Sequence, residues 1–302
     1  MRILILGAGA IGGYFGARLI EAGQMVDFLV RPARAERLHA DGLRIASANG
    51  DFSQPVPCIT EISDQYDLVL LSCKSYDLDS AIAAITPAVG KNTHVLPLLN
   101  GLAHMDALDA AFGEDRVLGG FAHISVTVKP DGSIEQFGDV ARMVYGSRDE
   151  SHVSEAISQA MSSMQAQVIQ TPAILQLMWQ KFTLITALAG ATCMCRGSVA
   201  DILATANGRE FVKRLYRECC ATAKASGFAL SADMQGEALA ALTTPTPLKA
   251  SMLRDIEAGR SSEGEHIVGD MYKRATVLSV DAPVLLAAAT HLRVYDRLRG
   301  IS

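Results

Sequence analysis

The chain has 302 residues, more than one hydrophobic core usually organises, so we expect two domains. It is 49% hydrophobic and 20% charged with a formal net charge of −5, which is typical of a globular protein and disfavours broad binding to nucleic acid or anionic membranes. No apolar run reaches the ~18 residues of a spanning helix, and the six cysteines lack zinc-site spacing. We therefore expect a cytoplasmic protein without a metal, a membrane contact or disulfides.

The N-terminal half alternates short apolar runs with helical patterns. The predicted buried strands are residues 2–6, 25–30, 66–73 and 93–99. Helices are predicted over residues 10–22 and 77–89, each between two of these strands. This βαβ alternation predicts a doubly wound parallel sheet of the Rossmann type.

After the last of these strands, the sequence pattern predicts first a hairpin and then a series of helices. Residues 119–146 contain a "PDG" turn between alternating segments, which predicts an antiparallel hairpin at the edge of the sheet. Later segments have helical spacing, with Thr171–Pro172 as a cap and helix start. The predicted helices are residues 171–192, 207–227, 231–243 and 282–298. We therefore predict an α/β fold in which a Rossmann domain (residues 1–170) precedes an all-α domain (residues 171–302).

A glycine-rich turn, "GAGAIGG", follows the first predicted strand. Gly7, Gly9 and Gly12 fit G-x-G-x-x-G in the context of a strand before and a helix after. The first permits a tight turn, the second a close approach of a pyrophosphate, and the third close packing of helix on strand. Ala10 and Ile11 begin the helix, whose N-terminal N–H groups favour phosphate. The turn predicts dinucleotide binding.

Arg31 stands where dinucleotide sites often place an acid that binds the adenosine ribose, 19 residues after Gly12. A guanidinium at that place fits the 2′-phosphate of NADP through charge-assisted hydrogen bonds. Asp27 is an acid nearby, but it falls in the middle of its strand, and Arg34 is a second candidate cation. The alternative is that Arg31 is a solvated surface charge; the pattern favours NADPH.

Lys181 falls on an apolar face of its predicted helix. The neighbours on that face are Leu177, Met178, Leu184, Ile185 and Leu188. Desolvation of an ammonium group is costly and lowers its pKa towards values that suit proton donation near neutrality. The alternative is a lysine that snorkels to solvent or forms a salt bridge.

Lys74 and Asn100 are polar residues at the carboxyl ends of two predicted buried strands. In open α/β sheets the ligand crevice lies beyond the carboxyl ends of the strands. Each residue alone is equally consistent with an ordinary strand cap. The two together favour a site near the nicotinamide half of the cofactor.

Several segments in order along the chain resemble the ketopantoate reductase family, which comprises NADPH-dependent 2-dehydropantoate 2-reductases. The matching segments are "LGAGAIGGYFGARL", "CKSYD", "LLNGL", "GGFAHIS", "GSIEQFG", "WQKF" and "SMLRDIEAGRSSE". The last of these, located downstream of the helical lysine, is far more specific than the glycine turn. The resemblance covers nearly the whole chain.

The resemblance implies roles for four residues near the substrate. Lys181 would be the general acid that protonates the carbonyl oxygen, and Glu263 would interact with it and position it. Asn100 and Ser251 would hydrogen-bond the substrate. Taken without the family, Glu263 is equally an acid at a helix N-terminus and Ser251 a helix cap.

For the cofactor, the resemblance implies that Arg31 binds the 2′-phosphate of NADPH. Lys74 would lie at the junction of cofactor and substrate. The first domain would then bind NADP and the second, helical domain would bind substrate, which would occupy the cleft between the domains. The sequence leaves open whether the protein forms a homodimer.

The chain departs from the family at two positions. Family members typically carry asparagines four and eight residues beyond the lysine, where this chain has Ile185 and Ala189. The leading hypothesis is NADPH-dependent reduction of a 2-oxo acid, with ketopantoate first, in pantothenate and coenzyme A biosynthesis. The alternative is a paralogous reductase of a more hydrophobic 2-oxo acid or ketone, and a third hypothesis is a non-catalytic NADP-binding regulator.

Overall fold

The computed structural model describes residues 1–149 and 153–300, and it divides into two compact units. Unit 1 comprises Met1–Leu99 and His104–Leu175, and unit 2 comprises Asn100–Ala103 and the residues from Gln176 onward. The sequence-based boundary was 170/171, whereas the chain leaves unit 1 at Leu175. The extra residues stay with unit 1 because Thr171 donates its N–H to Tyr145 O at 3.0 Å and Ile174 is fully buried.

Unit 1 is an α/β unit with two sheets. Its strands are β1 (Arg2–Leu6), β2 (Met25–Leu29), β3 (Leu43–Ala46), β4 (Phe52–Gln54), β5 (Cys58–Ile59), β6 (Leu68–Leu71), β7 (His94–Pro97), β8 (Gly119–Val128), β9 (Ile134–Gly146) and β10 (Gln167–Gln170). Its helices are α1 (Ala10–Glu21), α2 (Pro32–Asp41), α3 (Leu78–Ile85), α4 (Ala103–Phe112, from the last residue of the short unit 2 segment) and α5 (Glu155–Ser162). Short 3₁₀ turns flank α3 at Ser75–Asp77 and Thr86–Ala88.

The first sheet is parallel throughout, in the order β5-β2-β1-β6-β7. The central strand β1 pairs with β2 and β6, and Ile3, Leu4 and Ile5 are fully buried. A parallel strand covered on both faces needs a continuous apolar run, which is what "ILIL" provides. The predicted Rossmann-type parallel sheet is confirmed.

The predicted hairpin forms, and the chain enters it at the edge of the parallel sheet, where Val117 pairs in parallel with Val95 of the edge strand β7. The hairpin itself belongs to a second sheet. Strands β8 and β9 pair antiparallel, with an irregularity between Ile124 and Val126. β9 also pairs in parallel with β3 and β10, so that a second sheet runs β10-β9-β3-β4 with β8 on the other edge of β9. With 13 residues, β9 is long enough for β3 and β10 to pair with different parts of it, β3 near Ile134 and β10 from Arg142 to Tyr145.

Unit 2 is helical in the part of the chain that the structure describes. Its helices are α6 (Ile174–Cys195, from the last residues of unit 1), α7 (Val199–Leu203), α8 (Gly208–Ala225), α9 (Ala232–Thr243), α10 (Ser251–Glu257), α11 (Asp270–Val277) and α12 (Pro283–Leu298). The carboxylate of Glu218 in α8 accepts the N–H groups of Val284 and Leu285 and so caps α12 from the side. Within residues 1–149 and 153–300, no helix combines the length and apolarity needed to cross a membrane.

Candidate active site

The glycine turn (residues 7–13) has the geometry of a phosphate cradle. Gly7 has φ +82°, a conformation that favours glycine, and donates its N–H to Leu29 O at 2.8 Å. A Cβ on Gly12 would lie 2.5 Å from Ser72 Oγ, whereas a Cβ on Gly9 would meet only open space. Gly9 occupies the N-cap position of α1 and has no side chain, so no N-cap side chain accepts the N–H groups of the first turn. These features fit a nicotinamide dinucleotide bound through its pyrophosphate.

Arg31 lies directly after β2 and caps α2 in an extended conformation. Its side chain is 86% exposed, and its Nη2 lies 3.9 Å from Asp77 Oδ1. An ion pair of two exposed groups at this distance is weak, so an incoming phosphate can outcompete it. The geometry suits the predicted contact with a 2′-phosphate, which stays a prediction.

Arg34 and Asp27, the other charged residues considered near Arg31, are engaged elsewhere in unit 1. Arg34 Nη2 donates to Ala8 O and Gly132 O, both at 3.1 Å, and thereby links the glycine turn to the hairpin. Burial, with a smaller contribution from nearby Arg37, lowers the pKa of Arg34. Asp27 accepts a hydrogen bond from the Tyr66 hydroxyl at 2.9 Å, in the middle of β2 and away from its carboxyl end.

Lys74 and Asn100 each lie three residues beyond the end of a parallel strand. Strand β6 ends at Leu71 and β7 at Pro97, and these two residues are register partners. Lys74 is partly buried and belongs to unit 1, whereas Asn100 belongs to unit 2. The roles predicted for them towards cofactor and substrate stay predictions.

Lys181 and Asn100, which lie 81 residues apart in the sequence, meet in unit 2. Lys181 Nζ donates to Asn100 Oδ1 at 3.1 Å. Desolvation by burial lowers the pKa of Lys181 from its ordinary value of 10.5 to about 8. At neutral pH such an amine is still protonated, yet it releases its proton far more readily than an exposed lysine. The amide oxygen orients it.

The surface of α6 around Lys181 is apolar. Met178, which the sequence placed beside Lys181, is buried in the core, whereas four other neighbours keep part of their surface accessible. These four are Leu177, Leu184, Ile185 and Leu188. We call them the apolar row. Ala189, at the second position where the family carries asparagine, is 3% exposed.

Glu263 is 7% exposed, and its charge raises the pKa of the neighbouring His266. Its predicted role in positioning Lys181 stays a prediction. Ser251 is exposed at the first position of α10, while Ala250 occupies the cap position, so Ser251 is not the helix cap. Its predicted contact with substrate likewise stays a prediction.

Sequence reasoning missed His266. The segment "EGEHIVG" places it three residues after Glu263, and this spacing puts an acid and a histidine on one face of a helix. The ring lies against Asn100 and Gly101. The spacing was the available signal, although it does not reveal the distant partner.

Comparisons with known proteins match the sequence of both units. Residues 3–150 match the family model "Ketopantoate reductase PanE/ApbA", and residues 173–296 match "Ketopantoate reductase PanE/ApbA C terminal".

Full-length relatives and a solved structure extend the match. The "Uncharacterized oxidoreductase YkpB" of Bacillus subtilis (strain 168) is 35% identical over 98% of this chain and 99% of its own. The 2-dehydropantoate 2-reductase of Nostoc sp. (strain PCC 7120) is 25% identical over 97% and 94%. The crystal structure of 2-dehydropantoate 2-reductase from Geobacter metallireducens GS-15 superposes with a TM-score of 0.88 and 28% identity over 97% and 99%. The chain therefore belongs to the ketopantoate reductase family of oxidoreductases.

Proposed function

We propose that this protein reduces a 2-oxo acid with NADPH, and that ketopantoate (2-dehydropantoate) is the first candidate substrate. The product would be pantoate, a precursor of pantothenate and coenzyme A. The observation that carries the proposal is the Lys181–Asn100 pair, an amine with a lowered pKa held by an amide oxygen. It supplies the proton donor that reduction of a carbonyl requires.

The residues of unit 2 account for the proton in this reaction. When bound, the reduced nicotinamide supplies a hydride to the C2 carbon of the oxo acid. Negative charge then develops on the carbonyl oxygen, and Lys181 Nζ donates its proton to that oxygen. Asn100 Oδ1 holds the ammonium group in one orientation while it does so. Solvent then restores the proton on the lysine.

The residues of unit 1 account for the cofactor. The glycine turn and the N–H groups of Ala10 and Ile11 would bind the pyrophosphate. Arg31 would bind the 2′-phosphate, which supports NADPH over NADH. Lys74 would contact the nicotinamide half of the cofactor, as the family resemblance implies.

The substrate contacts of the proposal come from the same resemblance. Asn100 and Ser251 would hydrogen-bond the oxo acid, and Glu263 would keep Lys181 oriented. Ser251 is exposed and Glu263 is buried in the structure, so only the first is directly accessible. A cytoplasmic location stays an expectation, and the comparisons give no support for a homodimer, which we do not propose.

The apolar row favours a second candidate on the same scaffold. Ile185 lies one turn from Lys181 and keeps part of its side chain accessible where the family carries an asparagine. A site without that amide loses a hydrogen bond to a polar substrate and gains apolar contact area. The second candidate is therefore an NADPH-dependent reductase of a more hydrophobic 2-oxo acid or ketone.

The first test follows NADPH oxidation with ketopantoate and with a series of increasingly apolar 2-oxo acids, with NADH as the cofactor control. Preference for ketopantoate supports the first candidate, and preference for an apolar acid supports the second. Ile185→Asn restores the family residue and should raise kcat/KM for ketopantoate relative to the apolar acids. If no oxo acid is reduced by the wild-type protein, the proposal is wrong.

A second test separates both candidates from a non-catalytic NADP-binding regulator. Lys181→Ala should abolish turnover while NADPH affinity stays within ~2-fold of wild type, because the proposed proton donor makes no contact that binding requires. Turnover at the wild-type rate in this variant would contradict the role of Lys181.

A further inference from the structure

The segment Glu265–Gly269, which leads into α11, forms a π-helical turn. Such turns are rare, and they frequently occur at functional sites because the wider turn redirects side chains. Glu265 points outward and forms a bidentate ion pair with Arg293, at 2.7 and 2.8 Å. Ile267 and Val268 are buried. His266 remains as the polar side chain between these two faces.

His266 lies directly against the peptide that carries Asn100. Its ring hydrogen-bonds the backbone of Asn100, and because this bond favours the protonated ring, the imidazole N–H donates to the carbonyl oxygen. Gly101 has φ +84°, and a Cβ there would lie 3.1 Å from His266 O and 3.2 Å from His266 Cδ2. The chain therefore needs glycine at position 101 to let the ring approach this closely.

Two carboxylates close to His266 in the sequence influence its pKa. Glu263 precedes it by three residues and Asp270 follows by four, and both raise the pKa of His266. Desolvation by burial is the larger effect, and the net pKa of His266 is lowered. The ring is thus neutral at neutral pH, and one of its nitrogens carries the N–H that Asn100 accepts.

We propose that His266 is a positioning residue, which holds the Asn100 backbone so that Asn100 Oδ1 stays at 3.1 Å from Lys181 Nζ. The inference rests on the proposed function, since Lys181 is its proton donor. The chain of contacts runs from the π-helical turn through one backbone carbonyl to the side-chain amide. Loss of the ring leaves Asn100 free to rotate, and the ammonium loses a fixed acceptor.

The test compares three variants of the full-length protein. His266→Leu removes the N–H with little change in size, His266→Gln keeps an N–H donor near the position of Nε2, and Glu265→Gln breaks the outward ion pair of the same turn. The primary readout is the pKa of Lys181, measured by NMR of its Nζ in the cofactor-free protein. Loss of an acceptor disfavours the ammonium, so His266→Leu should lower this pKa by about half to one unit.

The same variants are then compared in turnover. His266→Leu should lower kcat about 10- to 100-fold and leave KM for the oxo acid within ~3-fold, because alignment of the donor matters in the transition state. His266→Gln should recover kcat to within ~3-fold of wild type. Glu265→Gln, the matched control, should leave kcat and the Lys181 pKa unchanged.

Four results would overturn the inference: an unchanged Lys181 pKa in His266→Leu, an unchanged kcat in the same variant, no recovery in His266→Gln, or an equal loss in Glu265→Gln. An equal loss in Glu265→Gln would mean that the π-helical turn contributes only to the stability of the fold. Lys181→Ala, assayed in parallel, separates failure of the role proposed for Lys181 from failure of the role proposed for His266. Retained turnover in Lys181→Ala contradicts the role of Lys181 as proton donor, whereas lost turnover in Lys181→Ala together with wild-type turnover in His266→Leu overturns only the role of His266.

Discussion

We expect Lys181, the proposed proton donor, to destabilise the folded protein, because its charged amine is buried. A fall in pKa from 10.5 to about 8 corresponds to ~3 kcal/mol in favour of the neutral amine, at ~1.4 kcal/mol per pH unit. Lys181→Met keeps the unbranched side chain and removes the charge. The variant also loses the hydrogen bond to Asn100, which costs ~1 kcal/mol. We expect Lys181→Met to be more stable than wild type by ~2 kcal/mol near pH 7.

The pH dependence of this difference has a definite sign. Below about pH 8 the folded protein carries the desolvated ammonium and its full penalty. Between about 8 and 10.5 the folded lysine has lost its proton while the unfolded one still holds it, so wild-type stability rises with pH. The variant lacks this group, and its advantage should therefore shrink by up to ~3 kcal/mol as the pH approaches 10.5.

The assay is urea unfolding followed by fluorescence at about pH 7 and about pH 10. The single tryptophan, Trp179, is buried on α6 and reports the unfolding of unit 2. Lys224→Met, at an exposed position of α8, is the matched control and should change stability by no more than ~0.5 kcal/mol at either pH. A Lys181→Met variant less stable than wild type, or a difference that does not vary with pH, would refute the argument.

Three further predictions concern catalysis and cofactor binding. In pH profiles of oxo-acid reduction, kcat should fall about tenfold per pH unit above about pH 8, where Lys181 loses its proton; a flat profile up to pH 10 would contradict its role as acid. Arg31→Ala should weaken NADPH binding ~10- to 100-fold and NADH binding by less than ~2-fold, measured by titration, and equal weakening would show that it does not bind the 2′-phosphate. Gly12→Ala should lower the free energy of unfolding by ~2 kcal/mol, because its Cβ would lie 2.5 Å from Ser72 Oγ. Gly9→Ala should leave stability near wild type and reduce NADPH affinity. A larger loss of stability in Gly9→Ala than in Gly12→Ala would contradict the packing role of Gly12.

Local patterns in the sequence determined much of unit 1 and the helices of unit 2. The adjacent strands β1 and β6 of the parallel sheet carry continuous apolar runs, since a strand buried on both faces has no polar side to alternate with. The glycine turn was predictable because the tight turn and the close helix packing each require glycine at a fixed spacing. The long helices likewise formed where 3.6-residue spacing indicated them, with ends shifted by a few residues.

The short strands that were missed lack such patterns. Strands β3, β4 and β5 have four, three and two residues, which is too short for a recognisable alternation. The second sheet was missed for the same reason. Its hairpin was evident, yet the position of the hairpin depends on β3 and β10 pairing with β9, and pairing between distant strands leaves no local signature.

At the candidate site, the sequence alone singled out Lys181, because a lysine on an apolar helical face is energetically anomalous whatever surrounds it. It could not say that Asn100, 81 residues away, accepts the lysine's hydrogen bond, or that Asp27 is occupied by Tyr66. Nor could it place His266 beside Asn100. Residue types and spacings follow from the chain itself. Which polar groups meet is decided only when the tertiary structure brings distant segments within hydrogen-bond distance.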